Sequence, residues 1–160
     1  MAKTIRGIPK GTHTLLPHLV VRDAAKAIDW YKKALGAEEV LRLPMPDGRG
    51  IMHTEMKIGD SRFYMGEESP QWEALSPQSL KGSPVSLHIY VQNADAAFKR
   101  AVDAGATVKM PVADQFWGDR YGKIQDPFGH QWSIATQVKV MTPEQIAKGA
   151  KEFFAKMAKA

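Results

Sequence analysis

Two stretches of this chain carry the same pattern of apolar and polar positions. In His18-Leu19-Val20-Val21-Arg22-Asp23-Ala24-Ala25-Lys26-Ala27-Ile28 a period of two gives way at Asp23 to a helical period, which ends at Leu35-Gly36-Ala37. In His88-Ile89-Tyr90-Val91-Gln92-Asn93-Ala94-Asp95-Ala96-Ala97-Phe98 the same change occurs at Asn93 and ends at Ala104-Gly105-Ala106. Each copy reads as a strand, an Asx cap, an amphipathic helix and a glycine stop. The first helix carries Ala24, Ala27, Ile28, Tyr31 and Leu35 as its apolar stripe, and the second carries Ala94, Ala97, Phe98, Ala101 and Val102. A repeat of about 70 residues predicts two copies of one βα-containing unit, with the functional site in a cleft where they meet.

β-type segments follow each helix. Residues 50–58 and 61–65 flank Gly59-Asp60, a two-residue hairpin signal, and residues 121–125 and 130–136 flank the turn Asp126-Pro127-Phe128-Gly129. With one further strand after each helix, each unit becomes β-α-β-β-β. The expected fold is therefore α+β: two βαβββ modules, 13–67 and 85–137, forming a curved mixed sheet with a shared cleft. Residues 68–84, dense in Ser, Pro and Gly, form the linker. Residues 138–160 hold a C-terminal amphipathic helix, opened by the capping box Thr142-Pro143-Glu144-Gln145, with Ile146, Ala150, Phe153 and Met157 as a stripe to be buried against the domain or a second subunit.

Alternation also sorts the strand faces. Val85, Leu87, Ile89 and Val91 belong under the helices, which leaves Ser86, His88 and Tyr90 opposite. By the same rule Leu16, His18 and Val20, Arg62 and Tyr64, and Gln131, Ser133 and Ala135 face away from the helices. In the strand from Ile51, the set Met52, Thr54, Met56, Ile58 goes to the helix side and His53, Glu55, Lys57 to the cleft. One semi-polar face then collects His18, His53, Glu55, Tyr64, His88, Tyr90 and Ser133.

Composition narrows the chemistry. The 160 residues, 44% hydrophobic, suffice for one core built of two half-domains. With no cysteine there are no disulfides, thiolate ligands or cysteine nucleophile. No apolar run is long enough to cross a bilayer, and Met1-Ala2-Lys3-Thr4-Ile5-Arg6 does not open a secretory signal, so a cytoplasmic protein without membrane partners is expected. The net charge of +5 is scattered, and its densest group, Lys148, Lys151, Lys156 and Lys159, reads as a solvated helix face rather than a nucleic-acid site.

Two chemistries fit the semi-polar face. His18, His88 and Glu55 offer imidazole and carboxylate donors to a divalent first-row metal, while the same histidines equally serve as hydrogen-bonding groups in a polar cavity. The loop Phe116-Trp117-Gly118-Asp119-Arg120-Tyr121-Gly122 offers a stacking wall. In it Arg120 is either an anion clamp or a hairpin lock paired with Asp119 or Asp126. His130, after a turn, reads as structural. The predicted ligand-binding residues are His18, His53, Tyr64, His88, Tyr90, Trp117, Arg120 and Tyr121.

Ala27-Ile28-Asp29-Trp30-Tyr31, and above all the Phe116–Gly122 loop followed by Asp126-Pro127-Phe128-Gly129-His130-Gln131-Trp132, resemble the glyoxalase/bleomycin-resistance/dioxygenase group, the vicinal oxygen chelate superfamily, and most of all its PhnB-like branch. The resemblance spans residues 13 to 137. It implies paired βαβββ modules and small-molecule chemistry, in metal-dependent enzymes or in metal-free proteins that sequester a ligand. The ligand positions of the family's metal enzymes fall here on Leu16, Tyr64, Ser86 and Ser133, none a usual ligand for such a site. The expectation is thus a metal-free small-molecule-binding protein acting as a homodimer. The alternative is a metal-dependent lyase, isomerase or dioxygenase on a vicinal-oxygen substrate, with a displaced divalent metal.

Overall fold

The computed structural model describes residues 7–159; residues 1–6, read above as no secretory leader, lie outside them. The chain divides into two compact units, residues 1–82 and 83–160. Each is a four-stranded mixed sheet with a helix packed on it, as two βαβββ modules require.

In the first unit β1 (His18–Val21) leads into α1 (Ala24–Leu35), then β2 (Glu38–Pro44), β3 (Ile51–Ile58) and β4 (Ser61–Glu67). The strand order is β1-β4-β3-β2, with β1 parallel to β4 and the remaining pairs antiparallel. Asp23 caps α1 by accepting from the Lys26 amide, and Gly36 closes it in the left-handed region at φ 66°. The helix buries Ala24, Ala27, Ile28, Trp30, Tyr31, Ala34 and Leu35. Against it β1 buries Leu19 and Val21, and β4 buries Phe63 and Met65. Gly59 turns the β3–β4 hairpin at φ 58°, so that Ile58 pairs with Ser61.

In the second unit β5 (Ser86–Tyr90), α3 (Ala94–Asp103), β6 (Thr107–Asp114), β7 (Asp119–Gln125) and β8 (Gln131–Gln137) repeat the topology in the order β5-β8-β7-β6. His88 pairs with Ser133 as His18 pairs with Tyr64. The capping-box helix α4 (Pro143–Met157) follows, with both reciprocal bonds between Thr142 and Gln145 in place.

Three expectations change. Met52 is 51% exposed while Ile51 is buried. A register shift where Pro44 pairs with Ile51 breaks the alternation at the start of β3, and the expected pattern resumes at Thr54 and Met56. Val85 lies just before β5 and is exposed. The breaker-rich stretch is not featureless: it contains a 3₁₀ turn at Pro70–Trp72 and one helical turn, α2 (Pro77–Leu80), capped by buried Ser76. In the single chain the α4 stripe is partly exposed, with Phe153 at 40% and Met157 at 60%. No helix among the described residues is long and apolar enough to cross a membrane.

Candidate functional site

Polar and aromatic side chains gather on the helix-free face of each sheet, in the positions that alternation assigns. In the first module His18, His53 and Tyr64 form a triangle of rings. His53 and Tyr64 are 4.8 Å apart between centroids, His18 and His53 6.0 Å, and His18 and Tyr64 6.2 Å, all edge-to-face. Partial burial, and then the neighbouring His53, hold the His18 imidazole below its ordinary pKa and so favour its neutral form. Glu55 shares this face, but its carboxylate is taken by the Arg62 guanidinium at 3.0 Å.

The second module gathers His88, Tyr90, Trp117 and Tyr121. His88 lies 4.7 Å from Tyr90 and stacks on Tyr121 at 5.9 Å with 28° between the planes; Trp117 meets the Tyr121 edge at 5.5 Å. What orders these rings is Asp119, a carboxylate only 4% exposed at the start of β7. Its Oδ2 accepts from the Tyr90 hydroxyl at 3.0 Å and from the Trp117 indole N–H at 3.1 Å. That bond, followed by burial, raises the Tyr90 hydroxyl above its usual pKa. Tyr121 shares a hydrogen bond of 2.8 Å with Ser133. Tyr90 also borders an open surface hollow with Val91, Gln92, Thr136 and Gln137.

Arg120 is tied to other carboxylates than Asp119 and Asp126. It makes a two-pronged contact with Asp95 of α3, Nη2 donating at 2.7 Å and Nε alongside, and Nη1 reaches Asp114 of β6 at 3.1 Å. Asp95 and then Asp114 push its pKa further up. This is the geometry of a lock joining helix, β6 and β7. His130 donates its backbone N–H to buried Asp126, which also receives Phe128 N–H and the Trp132 indole, each at 2.9 Å.

Sequence reasoning passed over Asp119 as a centre and saw it only as a partner for Arg120. The available signal was Trp117 two positions upstream, since an indole N–H drawn out of water needs an acceptor within reach. Asp95 and Asp114 carried no comparable signal, because their link to Arg120 exists only once α3 and β6 flank β7.

The metal positions carried over from the family do not fit an ion. Leu16 has no donor, and Ser133 is 3% exposed with its hydroxyl engaged by Tyr121. Among the described residues no three His, Cys, Asp or Glu side chains form a group able to hold a metal. His18 and Glu55 stand in the first module and His88 in the second.

Comparison with known proteins places this geometry. The family model described as Glyoxalase/Bleomycin resistance protein/Dioxygenase superfamily matches residues 12–134. An uncharacterized protein of Mycobacterium tuberculosis (strain H37Rv) is 45% identical over 135 residues, covering 82% of this chain and 79% of the relative. Among solved structures, TioX from Micromonospora sp. ML1 superposes with a TM-score of 0.63 at 23% identity, covering 78% of this chain and 98% of its own. A PhnB protein from Bacillus cereus does so with a TM-score of 0.60 at 14% identity, covering 78% and 99%. At these identities the two structures speak for the fold alone.

Proposed function

The chain belongs to the glyoxalase/bleomycin resistance protein/dioxygenase superfamily, and from that premise we propose that it is a small-molecule-binding protein whose second module holds an aromatic cation. One observation supports this reading: a single buried carboxylate oxygen, Asp119 Oδ2, receives both the Tyr90 hydroxyl and the Trp117 indole. Two π-faces are thereby fixed beside a negative charge. A cation over such rings gains about 0.5–2 kcal/mol, and a flat ligand adds stacking on the pair formed by His88 and Tyr121. Arg120, with its forks already committed to Asp95 and Asp114, serves as a brace for β7. The reading needs no metal at the family's four ligand positions. A homodimer in the cytoplasm belongs to the same proposal, supported by the exposed Phe154 and Met157 of α4, which a second copy would cover.

The test is a fluorescence titration of the whole chain with N-methylacridinium, set against 9-anthracenecarboxylate, a ring system of similar size and opposite charge. The cation binds and the acid binds at least tenfold more weakly. Trp117→Ala and Tyr121→Ala each weaken the cation by roughly 3- to 30-fold, the range that 0.5–2 kcal/mol corresponds to. Equal affinity for the two probes, or no change in Trp117→Ala, rejects the proposal.

A further inference from the structure

We infer that the C-terminal helix α4 is a positioning element for the second-module face: it sets the Trp117 ring through Phe116 and contributes no ring of its own to the cluster around Asp119. The inference rests on the proposed binding role of that face. Its physical basis is the way the turn carrying Trp117 is held.

That turn, residues 115–118, joins β6 to β7 and is closed by the Gly118 amide donating to the Gln115 carbonyl at 3.0 Å. From one side the segment after β8 lies directly on it. The Gly118 carbonyl accepts from both Val138 N–H at 3.0 Å and Lys139 N–H at 2.9 Å. Gly118 has φ 101°, and a Cβ there would fall 2.2 Å from the Lys139 carbonyl oxygen, so backbone rests on backbone with no room for a side chain. Helix α4 supplies the second support. A Cβ added to Gly149 would come within 2.9 Å of the Phe116 Cβ, and the Phe153 ring lies 5.6 Å from the Phe116 ring.

Phe116 passes this contact on. Its ring meets Trp117 at 4.9 Å and 90°, Trp117 meets Tyr121 at 5.5 Å, and Tyr121 stacks with His88. Phe153, Phe116, Trp117, Tyr121 and His88 are therefore one unbroken series of ring contacts that runs from the helix into the candidate site. Each ring bears on the next, so a displacement of Phe116 is passed along the series. The series begins at a helix whose first amides are satisfied by its own capping box.

Gly149→Ala separates a positioning role from a purely structural one. Alanine is the better helix former, so the helix itself loses nothing, yet the new methyl must displace Phe116. The readout is acrylamide quenching of Trp117 in a Trp72→Phe background: Trp72 is 79% exposed, whereas Trp30 and Trp132 are buried at 8% and 2%. Gly149→Ala changes the quenching and weakens N-methylacridinium at least threefold, both measured at a temperature where the variant is fully folded. Quenching that stays at the parent value in Gly149→Ala overturns the inference, and so does a fall in melting temperature with affinity and quenching untouched. If N-methylacridinium fails to bind even the parent chain, the proposed ligand class falls while the quenching still decides on α4.

Discussion

The two modules share one topology and one register, yet they place their bulk differently. Eight positions after the cap residue, α1 presents Tyr31 and α3 presents Ala101, and both are fully buried. On the last strand of each sheet the matched positions are Phe63 and Trp132, also buried. The first module thus fills its core from the helix, with Tyr31 edge-on to Phe63 at 5.6 Å. The second buries Ala94, Ala97 and Ala101 from its helix and relies on the sheet, with Ile124, Trp132 and Ile134. The helix N-termini differ in the same spirit. Glu67 accepts from the Asp23 and Ala24 amides, where Asp23 sits at φ 63°, while at the matched site the neutral Thr136 hydroxyl accepts from Ala94. What the two copies share is the pairing of strands; which layer supplies the largest buried side chains differs between them.

The sharpest way to break this comparison is to remove or transplant the bulk. Tyr31→Ala should cost about 3–5 kcal/mol, the range for an aromatic truncated in a core. Ala101→Tyr should also destabilise, by about 1–3 kcal/mol or more, since its space is already used. Urea unfolding of both variants measures this, and a neutral Ala101→Tyr would show that the second module has slack.

A middle-sized effect separates the two hairpins. The first turns on the two residues Gly59 and Asp60, whereas the second depends on Asp126 accepting Phe128 N–H, His130 N–H and the Trp132 indole. Asp126→Ala leaves those donors without their acceptor and should cost about 2–4 kcal/mol by the usual penalty for unmet buried groups. Asp60→Ala, at an exposed turn position, should shift the urea midpoint far less.

The smallest effect depends on pH and belongs to the first module. Ser76 and Ser79, followed by Arg22, hold the Glu68 carboxyl down at about 2, well below its usual value of 4.5. A carboxylate depressed on folding contributes stability in full above its unfolded pKa and loses it as pH falls towards the folded one. Glu68→Gln should therefore melt slightly below the parent at pH 7, with the gap closing between about pH 4.5 and 2. A gap of constant size across that window would mean that Glu68 acts by shape alone.

Much of this was legible in the sequence. The caps at Asp23 and Asn93, the stops at Gly36 and Gly105 and both hairpin turns are local, so spacing alone locates them. Alternation placed His18, Tyr64, His88 and Tyr90 on the helix-free faces for the same reason. It failed at Met52, the residue that the register shift leaves unpaired on β3, where the phase of the strand changes. It was silent on Arg120, whose partners come from 25 and 6 residues away along the chain. The stripe on α4 was correctly patterned, but a pattern does not name what covers it.

The turns between the second and third strands also differ in how they can change over time. In the first module residues 46–49 are exposed, between Met45 and Gly50, which bond each other. An insertion there disturbs little beyond the loop itself, and this is the kind of place where chains gain length without losing their fold. In the second module the matching turn has Gly118 pressed against Lys139 and Phe116 against Gly149. Neither a side chain at Gly118 nor an added residue finds room there. The first module is thus the one that can grow new segments, while the second holds both the length and the glycine of its turn fixed.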